Sequence, residues 1–139
     1  MKTLAKRCMA LVASFVISII CVTAYAEPCT MHGTIGGSKV TVHFTKSPFF
    51  GSNIDEFTTF KVVGNYQYDG KGPKARFTFR GTCLNSNIVL KVYDYMGKFC
   101  GTLNAQELRG NKGTSIEGQL INTVGNSFVV DIYASVYDF

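Results

Sequence analysis

The chain has little of the chemistry that catalysis or metal binding requires. It contains only two histidines, His32 and His43, and no acidic or cysteine cluster completes a ligand set with them. Structural and catalytic zinc sites use three or four protein ligands, so this pair falls short. A serine in a nucleophile elbow and a glycine-rich phosphate loop are also missing. These absences predict a protein that is not an enzyme and carries no metal or cofactor.

Long helical periodicity, internal repeats and low-complexity linkers are missing as well. The sequence has instead an alternation with a period of two, which is clearest from Tyr66 to Leu103. Over residues 75–83, apolar or small residues alternate with cationic and hydroxylated ones. Successive side chains of a strand point to opposite faces, so this segment predicts a strand with one apolar and one cationic face.

A hairpin is predicted around Met96-Gly97, because glycine allows the positive φ that a two-residue loop needs. A shift of one residue would set apolar against polar side chains, so the pattern determines the register. It pairs apolar residues with apolar or small ones: Leu90 with Leu103, and Val92 with Gly101. A second hairpin is predicted over residues 30–45, with Gly37-Ser38 as its loop and His32 facing His43 on the outer side.

The rest of the chain continues in the same way. Further strands are predicted over residues 57–69, 115–122 and 127–137, with a loop over 46–56 and a polar connection with one helical turn over 104–113. About eight short antiparallel strands at near-regular spacing predict an all-β fold, either an up-and-down barrel or a small sandwich.

Residues 1–26 have the pattern of a secretory signal peptide. Lys2, Lys6 and Arg7 form a positive start, residues 9–22 form the apolar segment, and Ala24-Tyr25-Ala26 forms a cleavage site. The apolar segment is short for a membrane span. We therefore expect a periplasmic or secreted protein with no membrane anchor in the mature chain.

Removal of the signal peptide changes the charge and leaves residues 27–139 as one β domain. The whole chain has 14 basic and 9 acidic residues, but three basic residues belong to the signal peptide. The mature domain then carries 11 basic and 9 acidic residues, a net charge of +2. So small an excess in an exported protein argues against nucleic-acid binding. Cys21 follows Ile20 rather than a small residue, which argues against a lipid anchor.

Three cysteines remain after residue 26: Cys29, Cys83 and Cys100. In an up-and-down order, Cys29 at the start of the first strand and Cys83 at the end of the fourth lie at the same end of the domain. Both also fall on the apolar phase, so a Cys29–Cys83 disulfide is predicted. Cys100 is predicted to face outward, either as a tolerated surface thiol or as a bridge in a dimer.

Two groups of aromatic residues could bind a protein partner. Phe49 and Phe50 stand between Pro48 and Gly51 in the longest predicted loop, and loops on a rigid scaffold often carry recognition. The same two rings could equally cap the core. Tyrosine is enriched in protein interfaces, and several tyrosines fall on outward phases: Tyr93, Tyr95, Tyr133 and Tyr137.

The strand and turn motifs resemble those of small exported bacterial β proteins. The motifs are GNYQY at 64–68, ARFTFRGT at 75–82, the run 87–103 with its G-x-x-x-G step, and SIEGQL at 115–120. Proteins with this look include periplasmic lysozyme inhibitors and immunity proteins that neutralise toxins. The chain departs from that pattern in having no tryptophan after the I-x-G strand.

The resemblance implies a fold rather than an activity. Our leading hypothesis is a periplasmic binding protein of the inhibitor or immunity type, which sterically occludes a partner protein such as a cell-wall-active hydrolase. Two alternatives remain at this point. The protein could be a barrel that holds a small apolar ligand, although the predicted inward aromatic residues, Phe128 among them, would fill the interior of a small barrel. The protein could also be a structural or adhesive envelope subunit, which would associate with itself.

Overall fold

Eight antiparallel strands, each formed by period-two alternation, close into an up-and-down barrel. The structure is a computed structural model and describes residues 27–48 and 59–135. Each strand pairs with the next one along the chain, and β8 pairs with β1 to close the wall. The strands are β1 Glu27–Ile35, β2 Ser38–Pro48, β3 Thr59–Tyr68, β4 Arg76–Leu84, β5 Asn87–Tyr93, β6 Phe99–Gly110, β7 Gly113–Asn122 and β8 Ser127–Ser135.

The β1–β2 hairpin turns one residue earlier than predicted. Ile35 pairs with Ser38, so the loop is Gly36-Gly37 rather than Gly37-Ser38. Both glycines have positive φ, +61° and +83°, which the tight turn requires at its two central positions. The register therefore shifts by two residues, which leaves the inward and outward faces unchanged. His32 faces Thr41 instead of His43.

The β5–β6 hairpin has the predicted register, with Leu90 opposite Leu103. Its turn is longer than the predicted two residues, because the Asp94 carboxylate organises it. Asp94 Oδ1 accepts hydrogen bonds from the backbone N–H groups of Met96 and Lys98, each at 2.9 Å. The pairing slips by one residue beside Tyr93, which forms a β-bulge at the start of β6.

Residues 104–110 continue β6 and pair with β7, so the predicted polar connection with a helical turn is wrong. Leu103, Ala105 and Glu107 all point inward and are buried. Because Glu107 is acidic and occupies an inward position, the sequence of this segment does not show the alternation expected of a strand. Its charge is compensated inside the barrel.

Aromatic rings fill one end of the interior. Tyr66 stacks on Phe77 with ring centroids 5.0 Å apart, and Tyr68 packs edge-on against Tyr66 at 5.8 Å. Phe128, which the pattern placed inside, lies at the rim with 38% of its surface exposed. Within residues 27–48 and 59–135, no helix is long and apolar enough to cross a membrane.

Candidate functional site

The interior of the barrel is nearly full. Among the described residues, the interior holds a cavity of about 30 Å³, lined by apolar side chains together with Lys46 and Glu107. Pockets that hold organic ligands are roughly ten times larger or more, so this cavity is too small for an organic ligand.

A charged cluster lies beside the cavity, at the barrel end near the β4–β5 turn. Lys46 Nζ donates to Glu107 Oε1 at 2.8 Å, and the Lys46 ammonium lies 4.9 Å from the centre of the Phe60 ring. Arg109 reaches the other carboxylate oxygen at 3.4 Å from the solvent side. Glu107 is only 7% exposed, so its charge depends on these two cations. The cluster is a structural element that sequence patterns did not reveal.

Cys29 and Cys83 are both buried, on the inward phases where the sequence put them. The structure forms no disulfide between them. Cys29 lies on β1 and Cys83 on β4. In the barrel wall, β2 and β3 lie between these two strands, and neighbouring strands are about 4.8 Å apart. Burial raises the pKa of the Cys83 thiol, against the lowering effect of nearby Lys46. The Cys29–Cys83 bond stays a prediction for the oxidised protein.

Cys100 does not face outward as predicted. The bulge at the start of β6 changes its phase, and the side chain packs against the core. Burial raises the pKa of this thiol, and the charge of Asp94 adds to the effect. A dimer bridged by Cys100 stays a prediction, which non-reducing electrophoresis would test.

The outer surface of β3, β4 and β5 forms a shallow groove of about 400 Å³. Three cations and two exposed valines converge on it. We call this surface the cationic face and define it as Lys61, Val63, Arg80, Val89 and Lys91. Among the described residues, all ion pairs meet at Glu107, so none of these three cations has a carboxylate partner.

The β-sheet register explains why the cations converge. Arg80 lies directly opposite Lys91 on β5 and directly opposite Val63 on β3. The floor of the groove is Gly81, where an added Cβ would lie 2.0 Å from the carbonyl oxygen of Val89. A larger residue there would force β4 and β5 apart. The groove therefore depends on a close approach of two backbones.

Arg80 is held in place by an aromatic side chain. Its guanidinium carbon lies 4.6 Å from the centre of the Tyr93 ring, and its Nη2 donates to the Tyr93 hydroxyl at 3.2 Å. Phe99 also packs edge-on against Tyr93, with centroids 5.9 Å apart. Stacking on Tyr93 reduces the rotamer freedom that Arg80 would lose on binding.

A surface of opposite charge lies on β7 and β8. We call it the acidic face and define it as Glu117, Val129 and Asp131. Glu117 lies directly opposite Asp131, and Val129 is 65% exposed. Ser115 Oγ donates to Glu117 Oε2 at 3.4 Å. In the barrel order, β8 is four strands from β4, so the two faces lie on opposite sides.

The described tyrosines among the predicted binding residues do not form one surface. Tyr93 and Tyr95 lie beside the β5–β6 turn, and Tyr95 is half exposed. Tyr133 lies on β8, three strands away, and its hydroxyl donates to the Lys112 carbonyl in the β6–β7 hairpin at 2.7 Å. Phe49, Phe50 and Tyr137 fall outside the described residues.

The histidine pair is separated by the corrected register. His43 Nδ1 lies 3.0 Å from Thr30 Oγ1, and His32 Nδ1 lies 3.5 Å from Thr41 Oγ1. Over residues 27–48 and 59–135, no three His, Cys, Asp or Glu side chains gather where they could hold a metal ion.

Sequence patterns placed Arg80 and Lys91 on outward phases but did not bring them together. The β4–β5 register does so, and the β3–β4 register adds Val63 beside Arg80. Comparison with protein-family models, with characterised proteins and with solved structures finds no match to this chain. The two charged faces and the filled interior are therefore the features from which a function can be inferred.

Proposed function

We propose that the protein is an exported binding protein of the inhibitor or immunity type, which occludes a partner protein with its cationic face. One observation carries this proposal. Lys61, Arg80 and Lys91 converge beside exposed valines without a carboxylate partner among the described residues. Charges left without a partner beside apolar area suit a surface that is completed by another molecule.

The chemistry of the face favours an acidic partner surface. Arg80 offers a planar donor group that can hold a carboxylate with two hydrogen bonds, while Lys91 adds a second positive charge beside it. Glycoside hydrolases use a pair of carboxylates in an open cleft. A hydrolase active on the cell wall is therefore a suitable partner, since the barrel would cover that cleft.

The filled interior weighs against the alternative of an apolar-ligand barrel. A cavity of about 30 Å³ cannot take an organic ligand without rearrangement of the core. The other alternative, a structural or adhesive subunit, requires self-association, which the two faces allow.

Affinity capture tests the proposal. The tagged protein is expressed in its own host, recovered from the exported fraction and washed at moderate salt. We expect a stoichiometric acidic protein that elutes as salt rises and loses enzymatic or toxic activity when the barrel is added. Recovery of the same protein by a variant carrying Arg80→Gln and Lys91→Gln would contradict the assignment to this face.

A further inference from the structure

The barrel carries two like-charge pairs of opposite sign. Arg80 and Lys91 face each other directly across β4 and β5, and Glu117 and Asp131 face each other directly across β7 and β8. Like charges at directly opposite positions of an antiparallel pair are destabilising. The two pairs lie on opposite sides of the barrel, too far apart to compensate each other within one molecule.

Neither pair is compensated by the described residues around it. The ion pairs of the described chain, residues 27–48 and 59–135, all involve Glu107. Arg80 is stacked on Tyr93 and Glu117 accepts a hydrogen bond from Ser115, but these contacts leave the repulsion in place. Among the residues that the structure describes, each pair therefore lacks a partner of opposite charge, and the other pair could supply one.

The two pairs also match in geometry. Each consists of two charges on neighbouring strands, about 5 Å apart at the Cβ atoms. Each is flanked by exposed apolar area, from Val63 and Val89 on one face and from Val129 on the other. Two cations at this spacing can therefore meet two carboxylates at the same spacing, with valine against valine beside them.

We infer that copies of this chain associate with one another, the acidic face of one molecule docking on the cationic face of the next. Because the two faces are different, the contact is heterologous and each dimer keeps one face of each kind open. Further copies can add to it, which gives short linear chains. This inference does not rest on the proposed function, but it implies that self-association and partner binding compete for the cationic face.

Sedimentation velocity of the protein expressed from its full sequence tests the inference. We expect the wild type to sediment faster as its concentration rises at low ionic strength, and to become monomeric near roughly 0.5 M salt, where charges are strongly screened. Arg80→Gln with Lys91→Gln removes one face, and Glu117→Gln with Asp131→Asn removes the other. Each double variant should be monomeric alone.

A mixture of the two variants gives the sharpest result. Each retains the face that the other lacks, so the mixture should form a 1:1 heterodimer and nothing larger. A control variant with Lys71→Gln and Lys74→Gln loses the same charge in the exposed β3–β4 turn and should associate like the wild type. Heterodimer formation also shows that both variants are folded.

Three results would overturn the inference: a wild type that stays monomeric at low salt, a double variant that still associates alone, or a mixture that forms no heterodimer. The proposed function can be tested separately from this inference. The variant with Glu117→Gln and Asp131→Asn keeps the cationic face, so it should remain monomeric and still capture the acidic partner.

Discussion

Lys46 on β2 and Glu107 on β6 form an ion pair inside one end of the barrel, with Lys46 Nζ 2.8 Å from Glu107 Oε1. They stand 61 residues apart in the chain, and β3, β4 and β5 separate their strands along the wall. The contact joins two walls of the barrel across its interior. It closes the end of the barrel where Cys83 is buried.

Lys46→Met should lower the free energy of unfolding by about 3 kcal/mol, because Glu107 would then be buried with only the solvent-side Arg109 near its charge. The double variant Lys46→Met with Glu107→Leu should lose much less, since it leaves no buried charge. Urea unfolding at neutral pH measures both. Equal losses in the single and double variants would mean that the pairing of charges does not matter.

Gly81→Ala should destabilise the barrel by about 3 kcal/mol, because the new Cβ would collide with the carbonyl oxygen of Val89. Gly110→Ala is the matched control, since its Cβ would lie 3.9 Å from the nearest atom outside its chain neighbours. Thermal unfolding of the two variants compares them. A small loss in Gly81→Ala would show that β4 and β5 can separate without cost.

Alkaline pH should weaken the fold through buried tyrosines. Burial raises the pKa of Tyr66 well above its ordinary value of 10.0, and the nearby charge of Tyr68 raises it further. Below pH 10 both states keep the proton, so the contribution to stability is complete. As pH rises further, the unfolded chain releases the proton while the folded barrel holds it, so the free energy of unfolding falls.

Urea unfolding between pH 9 and 12 checks this effect. Tyr66→Phe should show a shallower loss of stability with rising pH than the wild type, although other raised groups, such as Tyr68, keep some slope. The slopes of the free energy of unfolding against pH are compared, because the substitution also changes the stability at neutral pH. Identical slopes would show that Tyr66 ionises equally well in both states.

Neutralising one member of a like-charge pair should stabilise the monomer. Lys91→Gln and Asp131→Asn should each raise the free energy of unfolding by about 0.5 kcal/mol at low ionic strength, and the gain should shrink at high salt. Unfolding at protein concentrations low enough to keep the chain monomeric measures both. A loss of stability in both variants would mean that these pairs are already compensated.

The all-β class, the eight strands and the β5–β6 register could be predicted from the sequence, because alternation and glycine turns are local signals. The error in the β1–β2 register came from two adjacent glycines, Gly36 and Gly37, that allowed two neighbouring loop positions. The error at Glu107 came from a charged residue on an inward phase. Its partner Lys46 is distant in sequence, so no local pattern revealed it.

The candidate site was harder to predict for the same reason. Outward phases of single strands identified Arg80 and Lys91 as exposed, but two registers, β3–β4 and β4–β5, are needed to place them beside Val63. The position of Cys100 depends on a bulge, which alternation cannot show. Tyrosines on outward phases were expected to act together, yet β5 and β8 lie three strands apart in the closed wall.

Titration calorimetry with the captured partner shows directly whether the cationic face is the binding site. Three proteins are compared: the wild type, the variant with Arg80→Gln and Lys91→Gln, and the charge-matched control with Lys71→Gln and Lys74→Gln. We predict that the control binds like the wild type, while loss of the two face cations weakens binding about 100-fold or more. Equal affinity for all three would contradict a binding site on the cationic face.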